Sequence, residues 1–220
     1  LTVSGGGIQK YVPELGLYSL PALWRDPDHF NKVMAGTAGV KLIKVVDDKN
    51  AGFKVLGYTV TGFRDFMNRK KPITKTADMA GLKIRVDTQP VSAQIWGALG
   101  ANPVPMAFTE VYSALQTGVI DAAEQPPANT ITQKFYEQAK YPTITNHQLT
   151  VKAVITNAKW WNDLPADVKP GKDQAFKDYL PFRTQGAFDA AKSGISQLQT
   201  LGAQICKLEN PANTRSTPDT

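Results

Sequence analysis

The chain has 220 residues, 42% of them hydrophobic and 20% charged, enough to bury one large core or two small ones. Its single cysteine, Cys206, excludes an internal disulfide and a cysteine-based metal cluster, and no stretch supplies the ~18 consecutive apolar residues that cross a bilayer. The net charge of +6 and pI near 9.3 raise nucleic acid as a partner, but the basic residues are scattered without zinc-ligand spacing, a helix-turn-helix pattern or an aromatic RNA-binding motif. No nucleic-acid partner is therefore expected, and the same charge can draw in organic anions.

In chain order, Ser4-Gly5-Gly6-Gly7 reads as a loop in which backbone N–H groups could approach an anion. No GKS or GKT follows, so nucleotide binding is not expected. The segment DPDHFNKVMAG is helix-like, with Phe30, Val33 and Met34 on its apolar side and His29 structural or exposed. Arg69-Lys70-Lys71, the only basic run, falls in a loop before Pro72.

The segment from Gly81 to Pro126 carries the most information. Leu82, Ile84 and Val86 alternate with Lys83, Arg85 and Asp87, so a strand would send the aliphatics to one face and Arg85 to the other. Pro90 suits a first helical turn, Ile95, Trp96 and Leu99 follow at helical spacing, and Gly100 supplies a stop. Pro103 to Met106 is a β-type stretch. Thr109 opens a second helix with Val111, Tyr112 and Leu115 on one side and Gly118 as its C-terminal cap. Val119 and Ile120 start the next strand. Strand, helix, strand, helix, strand implies an α/β fold with right-handed crossovers and a largely parallel sheet.

Further on, Asn157 suits a helix cap before Trp160 and Trp161, which read as core. Pro170-Gly171 and Pro181 are expected to interrupt the helices that follow. From Glu209 the chain is polar and Pro-containing, a tail.

Arg85 is the residue with the clearest chemistry. Arginine stays charged at physiological pH and presents a planar fork of donors that matches a carboxylate in bidentate fashion. The competing reading is a solvated residue paired with Asp87 on the same strand face. Arg64 follows Gly62 and precedes Asp65, which also allows a loop salt bridge. Phe108 stands before a helix start, where it is either core or a ligand platform. Gln125, beside Pro126 and Pro127, offers an amide to a carboxylate or hydroxyl, or is a turn residue. His147 is one of two histidines and could be a satisfied core residue.

The motifs GLKIRV, LGANPVPM, EVYSALQTGVIDAAEQP, KFYEQAKYPTITNH and NAKWWNDLP, with LPALWRDPDH and KVLGYTVTGFRDF upstream, closely resemble the periplasmic solute receptors of tripartite ATP-independent periplasmic (TRAP) transporters, the DctP-like family. They run in one order from about Pro13 to Leu164. The resemblance implies two α/β lobes joined by crossing strands, the periplasmic-binding-protein-like fold, with a hinge between discontinuous lobes that close over a carboxylate-bearing organic acid. It implies residues 1–62 and 151–190 as the first lobe, 63–150 and 191–208 as the second, 209–220 as the polar tail, and hinges near Thr61 and Val151. Members of that family usually carry additional βα units, about a quarter of a receptor, before the point matching Leu1, so the chain is expected to be either incomplete or a shortened relative.

By the same resemblance the arginine of the KIR motif, Arg85, binds the ligand carboxylate. The GxR arginine is Arg64, the aromatic after PVPM is Phe108, and the histidine of TNH is His147. The usual QEN turn is altered: Ala123 replaces glutamine, and Gln125 stands where asparagine is common. The expected protein is a monomeric periplasmic receptor without cofactor or metal, delivering its acid to membrane-embedded TRAP subunits. A sensor domain of the same fold is the alternative. An enzyme is not expected, because no GxSxG elbow surrounds Ser4 and Glu110 reads as a first-turn charge rather than the partner of Glu124 in a catalytic pair.

Overall fold

β-Branched and aromatic residues concentrate over 53–68 and 141–157, and these stretches form the two long strands of a mixed α/β fold. The computed structural model describes residues 1–209. In chain order the strands are β1 (Thr2–Ser4), β2 (Phe53–Asn68), β3 (Lys83–Val86), β4 (Asn102–Pro105), β5 (Ala122–Gln125), β6 (Tyr141–Asn157) and β7 (Cys206–Lys207). They follow the order β1-β6-β2-β5-β3-β4, with β7 beside β6. From Gly57 to Asn68 every residue of β2 except Phe63 is buried, the mark of a strand covered on both faces.

The chain divides into two compact units. One comprises Leu1–Thr61 and Leu149–Asp189, the other Gly62–Gln148 and the chain from Ala190 onward. It passes between them inside β2, inside β6 and inside a long helix. At the first crossing Gly62 has φ +114°, a conformation that L side chains rarely adopt. Apart from Glu209, the tail expected over 209–220 lies outside the described residues; Glu209 itself is held by Thr74, whose backbone carbonyl accepts from its N–H at 2.8 Å.

In the first unit, β1 pairs antiparallel with β6, Thr2 opposite Val154. The Ser4-to-Gly7 segment is not the expected loop, because after Ser4 the chain closes one helical turn, α1 (Gly5–Ile8). Helix α2 (Pro27–Ala35) starts where the Asp26 side chain accepts from His29 N–H at 2.7 Å, with Pro27 in the first turn. Helix α3 (Thr37–Lys49) ends on left-handed Asn50. Tyr18, Trp24, Phe30 and Tyr58 form an aromatic core, ring centroids 5.0–6.2 Å apart.

The second unit contains α4 (Pro90–Ala98), α5 (Val111–Thr117) and α6 (Pro127–Thr132) between short strands. β3 lies parallel to β4 and β5, as the strand–helix–strand pattern predicts. The sheet as a whole is mixed, because β2 meets β5 antiparallel with Phe66 opposite Glu124. Alternation along β2 and β5 then builds two apolar clusters. Phe66 and Ala122 join Ile84, Val86 and Trp96; their chain neighbours Met67 and Ala123 join Val111, Leu115, Ile120 and Phe135.

Local stop signals act as the sequence indicates. Gly118 ends α5 at φ +78°, and Gly100 follows α4 at φ +79°. Two boundaries differ. A single 3-10 turn (Phe108–Glu110) precedes α5, and Val119 and Ile120 are not yet strand: Ile120 N–H still bonds Ala114 carbonyl at 3.2 Å, so β5 begins at Ala122.

Asn157 caps α7 (Ala158–Asn162), its side chain accepting from Trp160 N–H at 2.8 Å. Trp161 is core as expected, whereas Trp160 is 49% exposed under the Lys172 ammonium. Neither Pro170-Gly171 nor Pro181 breaks the next helix. α8 (Val168–Thr200) runs through 33 residues, because Pro170 and Gly171 sit in its first turn, where N–H groups are free anyway, and Pro181 forfeits one internal bond with intact turns on either side.

Candidate functional site

All five residues singled out in the sequence belong to the second unit. Two of them, Arg64 and His147, form a buried charged cluster with Glu124. Arg64 and Phe66 lie on the same face of β2, and Phe66 stands opposite Glu124 of β5, so the Arg64 side chain reaches Glu124 diagonally across the strands. The guanidinium grips the carboxylate with two arms: Nε donates to Oε2, Nη2 donates to Oε1 at 2.6 Å, and Nη2 also reaches the Glu124 carbonyl at 2.9 Å. Both side chains are under 10% exposed. Arg64 is therefore no loop residue paired with Asp65.

His147, on β6, is the third member. Its Nε2 lies 3.4 Å from Glu124 Oε2, within ion-pair range but off hydrogen-bond geometry, and its Nδ1 shares a 2.8 Å hydrogen bond with Thr145 Oγ1. Its ring packs edge-on against Trp96 at 5.2 Å. Burial pushes the Glu124 carboxyl upward, but the Arg64 guanidinium and His147 overcome this and hold it down at about 2. Burial likewise opposes the charge on Arg64, and Glu124 more than restores it.

Arg85 is in a different state. It is 4% exposed, and its Nε and Nη2 donate to the Met106 carbonyl at 3.2 and 2.9 Å. Among the described residues its guanidinium makes no ion pair. Asp87, the partner that a solvated Arg85 would have used, accepts instead from Gln89 N–H, Gln89 Nε2 and Ser92 Oγ, at 3.1, 2.8 and 2.7 Å. Burial is the largest influence on Arg85 and lowers its pKa. Glu124 and Asp87 attract its charge and Arg64 repels it, so this arginine and the Arg64–Glu124 pair act within one electrostatic neighbourhood.

Phe108 sits beside Arg85, whose guanidinium carbon lies 5.9 Å from the ring centroid. One edge of Phe108 packs on Phe135 at 5.7 Å, yet the residue stays 38% exposed. It is thus half anchor and half open face. Gln125 is buried at the end of β5, its side-chain oxygen accepting from Asn129 Nδ2 at 3.3 Å. The arrangement brings Arg64 to His147 through Glu124, and Arg85 to Phe108; Gln125 is tied to α6.

Glu124 as the counter-ion of Arg64 escapes a reading of the sequence, because the two are 60 positions apart and only the β2–β5 register joins them. Asp65 is also missed. It is buried, and its Oδ1 accepts from Thr145 N–H at 2.9 Å and Asn146 N–H at 3.0 Å, where Asn146 adopts a left-handed conformation within β6. Desolvation pushes the Asp65 carboxyl up to about 6, against the pull of those two N–H groups and of His147.

Because that value exceeds the ordinary 3.8, the folded state holds the Asp65 proton in a window where the unfolded chain has lost it. The stabilisation is complete below about 3.8 and is lost as pH rises through about 6. Asp65→Asn keeps an acceptor oxygen for both N–H groups and removes the titration. The melting temperature of Asp65→Asn relative to the parent is expected to increase from pH 4 to pH 7. A constant difference across that range would show that Asp65 does not titrate there.

The short βαβ run β3-α4-β4 carries buried Arg85 on its first strand, next to the half-open ring of Phe108. Comparison supplies the class. The model of the bacterial extracellular solute-binding protein family 7, the DctP family, matches residues 1–216, and the chain belongs to that family. Among relatives, the C4-dicarboxylate-binding periplasmic protein DctP of Rhodobacter capsulatus is 36% identical over 191 residues, 87% of this chain and 56% of the relative. The sugar acid binding protein DctPAm of Advenella mimigardefordensis, solved with galactonate, superposes with a TM-score of 0.90 at 31% identity, covering 95% of this chain and 67% of the other. A TRAP periplasmic solute-binding protein of a Polaromonas species, bound to D-erythronate, gives 0.90 at 31% identity, 96% of this chain and 69% of the other. The chain spans about half to three-fifths of the length of the first curated relatives it matches. No helix among the described residues is long and apolar enough to cross a membrane.

Proposed function

We propose that this chain is part of a periplasmic receptor that binds a small organic acid through Arg85 and presents it, as a monomer, to the membrane subunits of a TRAP transporter. One observation carries the reading. Arg85 is a buried, desolvated guanidinium whose recorded hydrogen bonds go to one backbone carbonyl and which has no ion-pair partner among the described residues. A buried cation in that state is costly until an anion meets it. A planar carboxylate fits the remaining donors of the fork.

Phe108 supplies a flat apolar face alongside, suited to the carbon skeleton of the acid. Gln125 supplies an amide for its hydroxyl or second oxygen. Arg64 and His147 act through Glu124 and hold the floor of the site in register. The galactonate and D-erythronate in the two similar structures support an acid as the ligand class. The two compact units are proposed as the lobes, with hinge positions at Thr61–Gly62 and Gln148–Leu149, where the chain crosses.

The test is a thermal-shift panel of organic acids with matching neutral sugars and amino acids. A saturable rise in melting temperature confined to acids is expected, since a ligand that binds only the folded state raises stability. Equal responses to acids and their neutral counterparts would refute the assignment.

A further inference from the structure

We propose that the first unit holds a second binding site, distinct from the one at Arg85, for a compact ring system that carries a single anionic group. A cavity of about 460 Å3 lies between α2, α3, β2 and α8, inside the range of small-molecule pockets, roughly 300–1,000 Å3. All of its lining residues belong to the first unit, whereas Arg85 belongs to the second. The walls are mainly apolar: Phe30 and Met34 come from α2, Ile43 from α3, Leu56 from β2 and Leu180 from α8. One wall depends on a glycine. Gly57 brings the β2 backbone so near α8 that a Cβ there would collide with Leu180 Cδ1, and both residues line the cavity.

The polar groups of the lining define the ligand. The Thr184 hydroxyl is buried and already paired with Thr59 at 3.3 Å. Tyr58 is 6% exposed, and its hydroxyl interacts with Tyr18 without full hydrogen-bond geometry. Lys177 is the one charged residue of the lining; it is exposed and makes no ion pair among the described residues. A lysine can lay its apolar stem along such a wall and keep its ammonium in water at the mouth. Phe30 and Tyr58 add flat aromatic faces suited to a planar ring. A polyhydroxy acid is a poor fit, because each hydroxyl taken out of water needs a partner and the walls offer few. A fused ring with one acidic group fits both features: the ring lies against the apolar walls and the charge remains beside Lys177.

Calorimetry of the whole chain with naphthalene-1-acetate and its neutral analogue naphthalene-1-acetamide tests this. Both are expected to saturate one site per chain, the acid about three- to fivefold more tightly, the size of an ion pair open to water. Lys177→Gln should remove that preference and leave the amide unchanged. Ala35→Trp places bulk into the cavity from an exposed position, so folding is preserved, and it should weaken both ligands by about tenfold or more. Arg85→Ala should change neither. No saturable binding of either compound, or binding indifferent to Ala35→Trp, would overturn the site. Equal affinities in the parent would overturn its anionic class. Loss of the acid in Arg85→Ala would place the acid at Arg85 and refute a second site, while leaving the proposed receptor function intact.

Discussion

Arg85→Ala is expected to weaken organic-acid binding by about 2–5 kcal/mol, roughly 30-fold to several thousand-fold, while the ligand-free protein melts at the same temperature or higher. The two halves of that result have one cause. Among the described residues Arg85 is buried without a counter-ion, its hydrogen bonds going to the Met106 carbonyl. Such a charge costs desolvation that a single carbonyl offsets poorly, so its removal relieves the folded state. On the proposed reading, a bound acid would meet the same guanidinium as the pre-positioned half of a charge-assisted, two-armed contact shielded from water. Arg85→Lys keeps the charge but loses the fork, and an intermediate loss of affinity is expected. Calorimetry with galactonate and thermal unfolding without it check both halves. A parallel fall in affinity and melting temperature would make Arg85 a structural residue.

The elements around Arg85 were legible because each depends on neighbours in the chain. Alternation of Leu82, Ile84 and Val86 with Arg85 marks β3, and Gly100, Gly118 and Asn157 mark helix ends through their own backbone or side-chain chemistry. What the sequence hides is pairing at a distance. The antiparallel meeting of β2 and β5 makes the sheet mixed, and it alone brings Glu124 to Arg64. The left-handed turn at Asn146, which sends two N–H groups to Asp65 some 80 positions away, leaves no local signature. Helix α8 defeats local reading in the opposite sense. Pro181 is a strong breaker by propensity, yet the helix continues beyond it to Thr200, passing Gly194, where a side chain would meet Pro127 at 2.8 Å. Packing over many turns outweighs the single lost bond.

The Arg64–Glu124 pair should dominate stability rather than affinity. Removing either partner leaves an uncompensated charge at a position under 10% exposed, for which the expected cost is about 3–5 kcal/mol. Arg64→Ala and Glu124→Ala are each expected to lower the urea midpoint sharply. Removing both charges with residues of similar bulk, Arg64→Met with Glu124→Leu, should recover much of that loss, because the desolvation cost disappears with the charges. The pH dependence follows from the sign of the Glu124 shift. Its carboxyl is held at about 2, below the ordinary 4.5, so the unfolded chain takes up a proton first on acidification. The stabilisation is present above 4.5 and drains away as pH falls toward 2. Urea unfolding of the parent should therefore weaken across that interval more steeply than that of the double variant. If the two single variants lose no more than the double, the pair is not a coupled unit.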